Sequence, residues 1–398
     1  MKFQCDQCKS VLNSAAVTAG MSVTCPVCGA ETECRPLGAP ATLRAVADGG
    51  KQIDDGGGLA QNVGEKMSSI IGIEKLKGFS LSDLFSDVFS HHTREEVENY
   101  FTVGTEKSTP DILDVDTSWP KPWIFTRMVI ASLVLYFLLL LGWKMWENPK
   151  LLPGLIFVGS FAIPISTLVL FIELNVRRNV SFYMVARLAL LGGIISLIVT
   201  HLLLDIKGVT SILPFAGVLS EDIIGASIAG PVEETAKVLA MVAVASAAKY
   251  RYRLNGLLVG ASVGTGFAAF ETMGYALECL FAGGIDMMSN VISTRGLLSP
   301  FMHIVWSAIA GCALWRVING QKFRWSMLCD EKFIRLFIVP VVLHMIWNSG
   351  LDLPYHAEWI AAGFVGWFVC FSLVGDGLRE IAAEQKEAQK VPDKIVVI

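Results

Sequence analysis

Charge is scarce in this sequence. Asp, Glu, Lys and Arg make up 17% of its 398 residues, against 53% hydrophobic residues and a mean hydropathy of +0.54. So sparse a polar content excludes an ordinary soluble globule of this length and implies a polytopic membrane protein with the lipid bilayer as its surroundings. The net charge of -4 comes without any clustered basic face, which excludes a nucleic-acid surface. The opening residues, MKFQCDQCKSVLN, lack the apolar core of a secretory signal, so the N-terminus is expected to stay in the cytoplasm.

Four cysteines are placed for chemistry. Cys5, Cys8, Cys25 and Cys28 form C-x2-C, sixteen residues, C-x2-C, with Pro26 and Gly29 shaping the second knuckle. Two tight turns that each present a close sulfur pair can close a tetrahedron around a structural zinc, and the spacing predicts a zinc ribbon built on β-hairpins over 1–34. A disulfide-stapled extracellular module is the competing reading, and the missing signal weighs against it. Cys34 is left over, and Cys279, Cys312, Cys329 and Cys370 fall in or beside apolar segments, where cysteine behaves as a small hydrophobe.

A Gly-, Ala- and Asp-rich stretch over 35–65 reads as a flexible linker. Amphipathic spacing then predicts two short cytoplasmic helices within 66–118. Leu81, Leu84, Phe85, Val88 and Phe89 recur at three and four, and Thr93 with Glu96 forms a capping box. His91 and His92 lie at the joint, expected as an exposed loop pair, and Trp119 and Trp123 suit the membrane interface.

The expected fold is all-α and polytopic, with a membrane domain over 119–376 and a polar cytoplasmic tail over 377–398. Eight apolar segments, at 123–143, 153–174, 182–204, 222–246, 254–281, 296–315, 333–350 and 357–375, are candidate spans, leaving 282–294 as an outer loop. Arg177, Arg178, Lys249, Arg251, Arg253, Arg316, Lys322, Arg324, Lys332 and Arg335 crowd one set of loops. The other set carries only Lys144, Lys150, Lys207 and Arg295, so both termini are expected inside.

Ionisable residues interrupt these segments. The fourth holds Glu233, Glu234 and Lys237, the fifth Glu271, the sixth His303, and the seventh His344 with Asn348 four residues on. A charged side chain at the bilayer centre costs about 2.5–3.5 kcal/mol, so these groups must face protein, water or a cation. At about 1.5 Å per residue, Glu233, Glu271, His303 and His344 all lie roughly 9–16 Å below the outer edges of their spans, in one layer. A buried Glu–Lys salt bridge would account for the fourth segment alone; four helices sharing one depth ask for more. Two hydrolytic chemistries suit the set. In one, a carboxylate takes a proton from water while histidine and Asn348 hold an oxyanion. In the other, His and Glu bind a divalent metal, expected to be zinc, and a second glutamate is the base. A proton- or ion-coupled transporter is the competing use of such residues, and an inactive scaffold acting through its ribbon is a third. The halves of the chain show no repeat, which weighs against transport.

The motifs EETAK, FAAFE, RGLLSPFMH with Arg295 and His303, and HMIWN follow one another in this order. Over roughly 120–375 the chain resembles the PrsW family of intramembrane proteases, relatives of the CAAX-processing proteases. Lys237 stands one position earlier than the arginine of those relatives, and Glu271 stands where they have histidine, which argues against prenyl-protein processing. The resemblance implies a metal-dependent endopeptidase of the bacterial inner membrane that cleaves membrane-anchored proteins near the outer face, such as an anti-sigma factor. It further implies that Glu233, by analogy the base, acts with Glu234, Glu271, His303, His344 and Asn348, supported by Lys237 and Arg295.

Overall fold

The computed structural model describes residues 2–4, 11–13, 22–25, 28, 30–33, 85–93, 96, 100–105, 108–204, 221–245, 250–349, 351, 353–390 and 396–397. The chain divides into two units, Met1–Gln61 with Glu384–Ile398, and Asn62–Ala383. In the first, β1 (Lys2–Gln4) pairs antiparallel with β2 (Val11–Asn13), and β3 (Ser22–Thr24) with β4 (Glu31–Glu33). A short β5 (Val396–Val397) adds parallel to β2. Each C-x2-C pair falls in the sequence joining the strands of one hairpin. Cys25 is buried and its N–H donates to the Ala30 carbonyl at 2.8 Å, which closes the turn carrying the exposed Cys28. Cys5, Cys8, the linker and the first part of the 66–118 segment lie outside the described residues.

Eight long helices occupy the described remainder: α1 (Ile124–Trp146), α2 (Pro149–Leu174), α3 (Phe182–Leu204), α4 (Glu221–Val244), α5 (Arg253–Gly296), α6 (Ser299–Ile318), α7 (Glu331–Asn348) and α8 (Ala357–Lys390). Among the described residues six of them, α1, α2, α3, α5, α6 and α8, are long and apolar enough to cross a membrane, where the apolar pattern predicts eight. The two that fall short are α4, with Glu233, Glu234 and Lys237, and α7, whose 18 residues open on Glu331, Lys332 and Arg335. Polar chemistry and charged ends lower their hydropathy. On α1, Leu133, Val134, Phe137 and Leu138 are left exposed, an apolar face suited to lipid.

One further expectation changes. The stretch 282–294 is helical rather than a loop: α5 breaks at Gly284 (φ 73°, ψ -163°), a left-handed conformation that glycine adopts without steric cost, and a second limb follows. That limb buries Met288 and Ile292 against Leu155 and Ile156 of α2. The polar tail expected from 377 is helical as far as Lys390, where α8 ends.

Before the first helix, Phe85–Phe89 form a turn that docks on the start of α1. Arg127 donates to the carbonyls of Val88 (2.8 Å) and Ser90 (2.7 Å) and lies over the Trp123 ring. His92 stacks on the same ring at 3.6 Å, so it is half-buried rather than an exposed loop residue. The capping box forms: Thr93 N–H donates to Glu96 (2.7 Å) and Glu96 N–H to Thr93 Oγ1 (3.2 Å), holding the Glu96 carboxyl below its usual range. The N-terminus of α1 would otherwise bury orphan donors. Glu173 of α2 accepts from the N–H groups of Trp123, Ile124 and Phe125 at 2.8–2.9 Å and satisfies three of them.

Close approach of α5 to α6 positions the site. A Cβ on Gly260 would lie 1.9 Å from the Ser307 carbonyl oxygen, and one on Gly264 2.5 Å from that of His303. Only glycine allows the two backbones to meet there. The contact presses the start of α6 onto α5 and sets His303 beside Glu271, two helical turns beyond Gly264. Packing then spreads outward, with α7 lying on α6 and α4, and α2 on α5 and α1.

Candidate active site

Four helices bring their ionisable residues into one buried cluster. α4 supplies Glu233, Glu234 and Lys237, α5 supplies Glu271, α6 His303 and α7 His344; Glu234 and Lys237 are completely buried. Adjacent helical residues diverge by about 100°, so a single cleft can receive only one of the two α4 glutamates directly. The imidazole of His344 resolves this by reaching between them. Its Nδ1 lies 3.0 Å from Glu234 Oε1, and its Nε2 lies 3.6 Å from Glu233 Oε2.

Partners assign the protons. Glu234 Oε1 can only accept, so His344 Nδ1 carries the hydrogen and Nε2 turns a lone pair toward Glu233 Oε2. That oxygen is buried and makes no hydrogen bond. Lys237 Nζ donates to Glu234 Oε1 at 2.7 Å and, having no lone pair, must also donate to His303 Nδ1 at 2.9 Å. His303 is therefore protonated on Nε2, which donates to Glu271 Oε2 at 3.1 Å. Arg295 forms an ion pair with Glu271 and lies over the Tyr275 ring, 4.4 Å from its centroid. With neutral imidazoles, three carboxylates stand against one ammonium and one guanidinium, and the cluster keeps one negative charge.

Glu271 and Arg295 are separated by 24 residues. On a straight helix that separation would span about 36 Å. They meet because α5 doubles back at Gly284, so the returning limb carries Arg295 to the cluster.

Two aromatic rings wall the cluster: Phe267, which opens the FAAFE motif, and Trp306, which no motif above contains. Phe267, four residues before Glu271, presents its ring 4.1 Å from Lys237 Nζ. Trp306, three residues after His303, packs its fully buried ring 4.8 Å from that of His344. Trp306 sits one helical turn from His303, and that spacing is the signal that would have found it. Asn348 is exposed on the last turn of α7 and shares none of the described contacts of the cluster.

Glu233, His303 and His344 each offer a ligand atom within 4.8 Å of the others, a set that could hold a metal ion. The donors fit one. Two imidazoles and a carboxylate suit zinc and its neighbours. The orphaned Glu233 Oε2 facing the His344 lone pair is an arrangement that a cation would satisfy. Glu234 behind His344 is the kind of carboxylate partner that orients a ligating histidine.

No curated protein and no solved structure matches this chain. Residues 181–374, which contain every member of the cluster, match the family model described as PrsW family intramembrane metalloprotease, so this stretch of the chain is similar to that family.

Proposed function

We propose that the buried cluster hydrolyses peptide bonds of membrane-anchored proteins, with Glu233, His303 and His344 holding one divalent ion, zinc by its donor set. The observation that carries this reading is the 3.6 Å approach of His344 Nε2 to Glu233 Oε2, lone pair to lone pair, inside protein. Such an ion supplies an electrophile for the scissile carbonyl and acidifies water. Glu234 holds His344 in the tautomer that leaves Nε2 unprotonated, and the Glu271–Arg295 pair holds the Nε2 proton of His303. Glu233 is the base that the resemblance implies: one of its carboxylate oxygens would hold the ion, and the other takes the proton of the attacking water and returns it to the leaving amine. Trp306 and Phe267 keep bulk water away from the cluster's inner side. The polar layer lies toward the outer face of a bacterial cell membrane, with both termini in the cytoplasm, and the resemblance points to an anti-sigma factor as substrate. The N-terminal cysteines form a separate structural zinc site that serves partner docking.

Glu233→Gln preserves size and removes basicity. It should insert and fold, yet cleave a co-expressed single-span substrate about 100-fold or more slowly. Cleavage at the parent rate by the folded variant would sink the assignment.

A further inference from the structure

Lys237 is harder to place than the acids and imidazoles around it. Its ammonium is fully buried near the centre of the cluster, 2.7 Å from Glu234 Oε1, 2.9 Å from His303 Nδ1 and 3.8 Å from Glu233 Oε2. A salt bridge with Glu234 alone would not need the histidine. Two of the three atoms nearest Nζ belong to residues that would hold a metal, Glu233 and His303. His303 in particular has no nitrogen to spare. Its Nε2 donates to Glu271, and the lone pair of Nδ1, the nitrogen facing Glu233 at 4.0 Å, is taken by Lys237. Glu233 and His344 therefore present open lone pairs, while the third ligand is already occupied by a positive charge belonging to the chain.

We propose that Lys237 is the resident cation of this site: in the metal-free enzyme its ammonium stands in for the ion, and a metal gains its third ligand only when Lys237 gives up His303. The proposal rests on the metal reading above and adds a regulation to it. The exchange is local. Lys237 keeps two of its contacts when it releases His303, the ion pair with Glu234 and the face of Phe267, so it can remain buried. In the metal-free cluster Lys237 lies within ion-pair distance of both α4 glutamates, and Arg295 pairs with Glu271. Metal affinity is lowered by the competing ammonium, so loading becomes sensitive to the free metal concentration. Glu234 couples the two, since its Oε1 accepts from both Lys237 and His344.

The test is cobalt(II) binding to the full chain in detergent, followed by the visible bands of an N,O-ligated ion. Four proteins are compared: the parent, His344→Ala, Lys237→Met and Lys237→Arg. The His344-dependent signal is the membrane site. Lys237→Met should tighten that binding about tenfold or more, because a like charge within 3–4 Å is removed and His303 is released. Lys237→Arg, which keeps the charge, should not tighten it. Unchanged or weaker binding by Lys237→Met, with His344-dependent binding intact in the parent, would overturn the resident-cation role and leave the metal site standing. Equal binding by parent and His344→Ala would remove both. Should Lys237→Met fail to fold, histidine nitrogen NMR of the unaltered chain decides the matter. The His303 proton should sit on Nε2 without metal, and adding cadmium should couple the metal to Nδ1 of His303. Coupling to His344 with none to His303 would refute the exchange.

Discussion

Glu234 and His344, 110 residues apart in sequence, meet at 3.0 Å with neither exposed to solvent, and the same carboxylate oxygen takes Lys237 at 2.7 Å. One acceptor thus fixes the tautomer of an imidazole and compensates a buried ammonium.

That double duty predicts a split between two substitutions. Glu234→Ala strands Lys237 without its counter-ion and should destabilise the protein by about 3–5 kcal/mol. Glu234→Gln also removes the counter-ion but keeps an acceptor oxygen for Lys237 and His344, and should cost less. Unfolding of the purified variants in mixed micelles, followed by tryptophan fluorescence, separates them; equal losses would show that the charge, not the acceptor, is what matters.

Arg295 touches the chemistry only through Glu271. Arg295→Met should lower kcat about 10–100-fold, as loss of a group orienting a ligand does, and leave KM near its parent value. Arg295→Lys should recover part of the loss. A change confined to KM would place Arg295 in substrate binding instead.

Both termini are expected inside, with α4 and α7 crossing the membrane despite their charges. Lys150→Cys, in the first turn of α2, should react with an impermeant thiol reagent on intact cells, and Lys322→Cys, between α6 and α7, should react only after permeabilisation, each in a chain otherwise lacking reactive cysteines. Labelling of Lys322→Cys from outside would reverse the orientation.

For the N-terminal cysteines, Cys25→Ser in the full chain should lower the zinc content of the purified protein by one equivalent, read by elemental analysis, without changing membrane insertion. An unaltered content would dismiss the ribbon.

The candidate site was legible in sequence because its cost is legible: Glu233, Glu234, Lys237, Glu271, His303 and His344 interrupt apolar runs, and such groups gather where they can neutralise one another. Asn348, four residues after His344, is expected to join them by the same spacing; it lies exposed on the last turn of α7 and makes none of the described contacts with the cluster. Which atom meets which could not be read. The sharing of His344 between two adjacent glutamates depends on α7 crossing α4 at one angle, and helix spacing carries no information about that. The outer limb of α5 was mistaken for a loop because Gly283 and Gly284 look like a terminus, whereas the chain bends there and resumes its helix along α2.

The bend at Gly284 also makes α5 a measuring device. Thirteen residues lead from Glu271 up to it and eleven lead back down to Arg295. Each residue of helix advances about 1.5 Å and turns about 100°, so height and heading are set together. Removing one residue anywhere along the return would leave the guanidinium almost at the right level but facing away from the carboxylate. The segment therefore has its length in residues under tight constraint while its side chains on the outer side are free to vary, which is the reverse of what a surface loop would show.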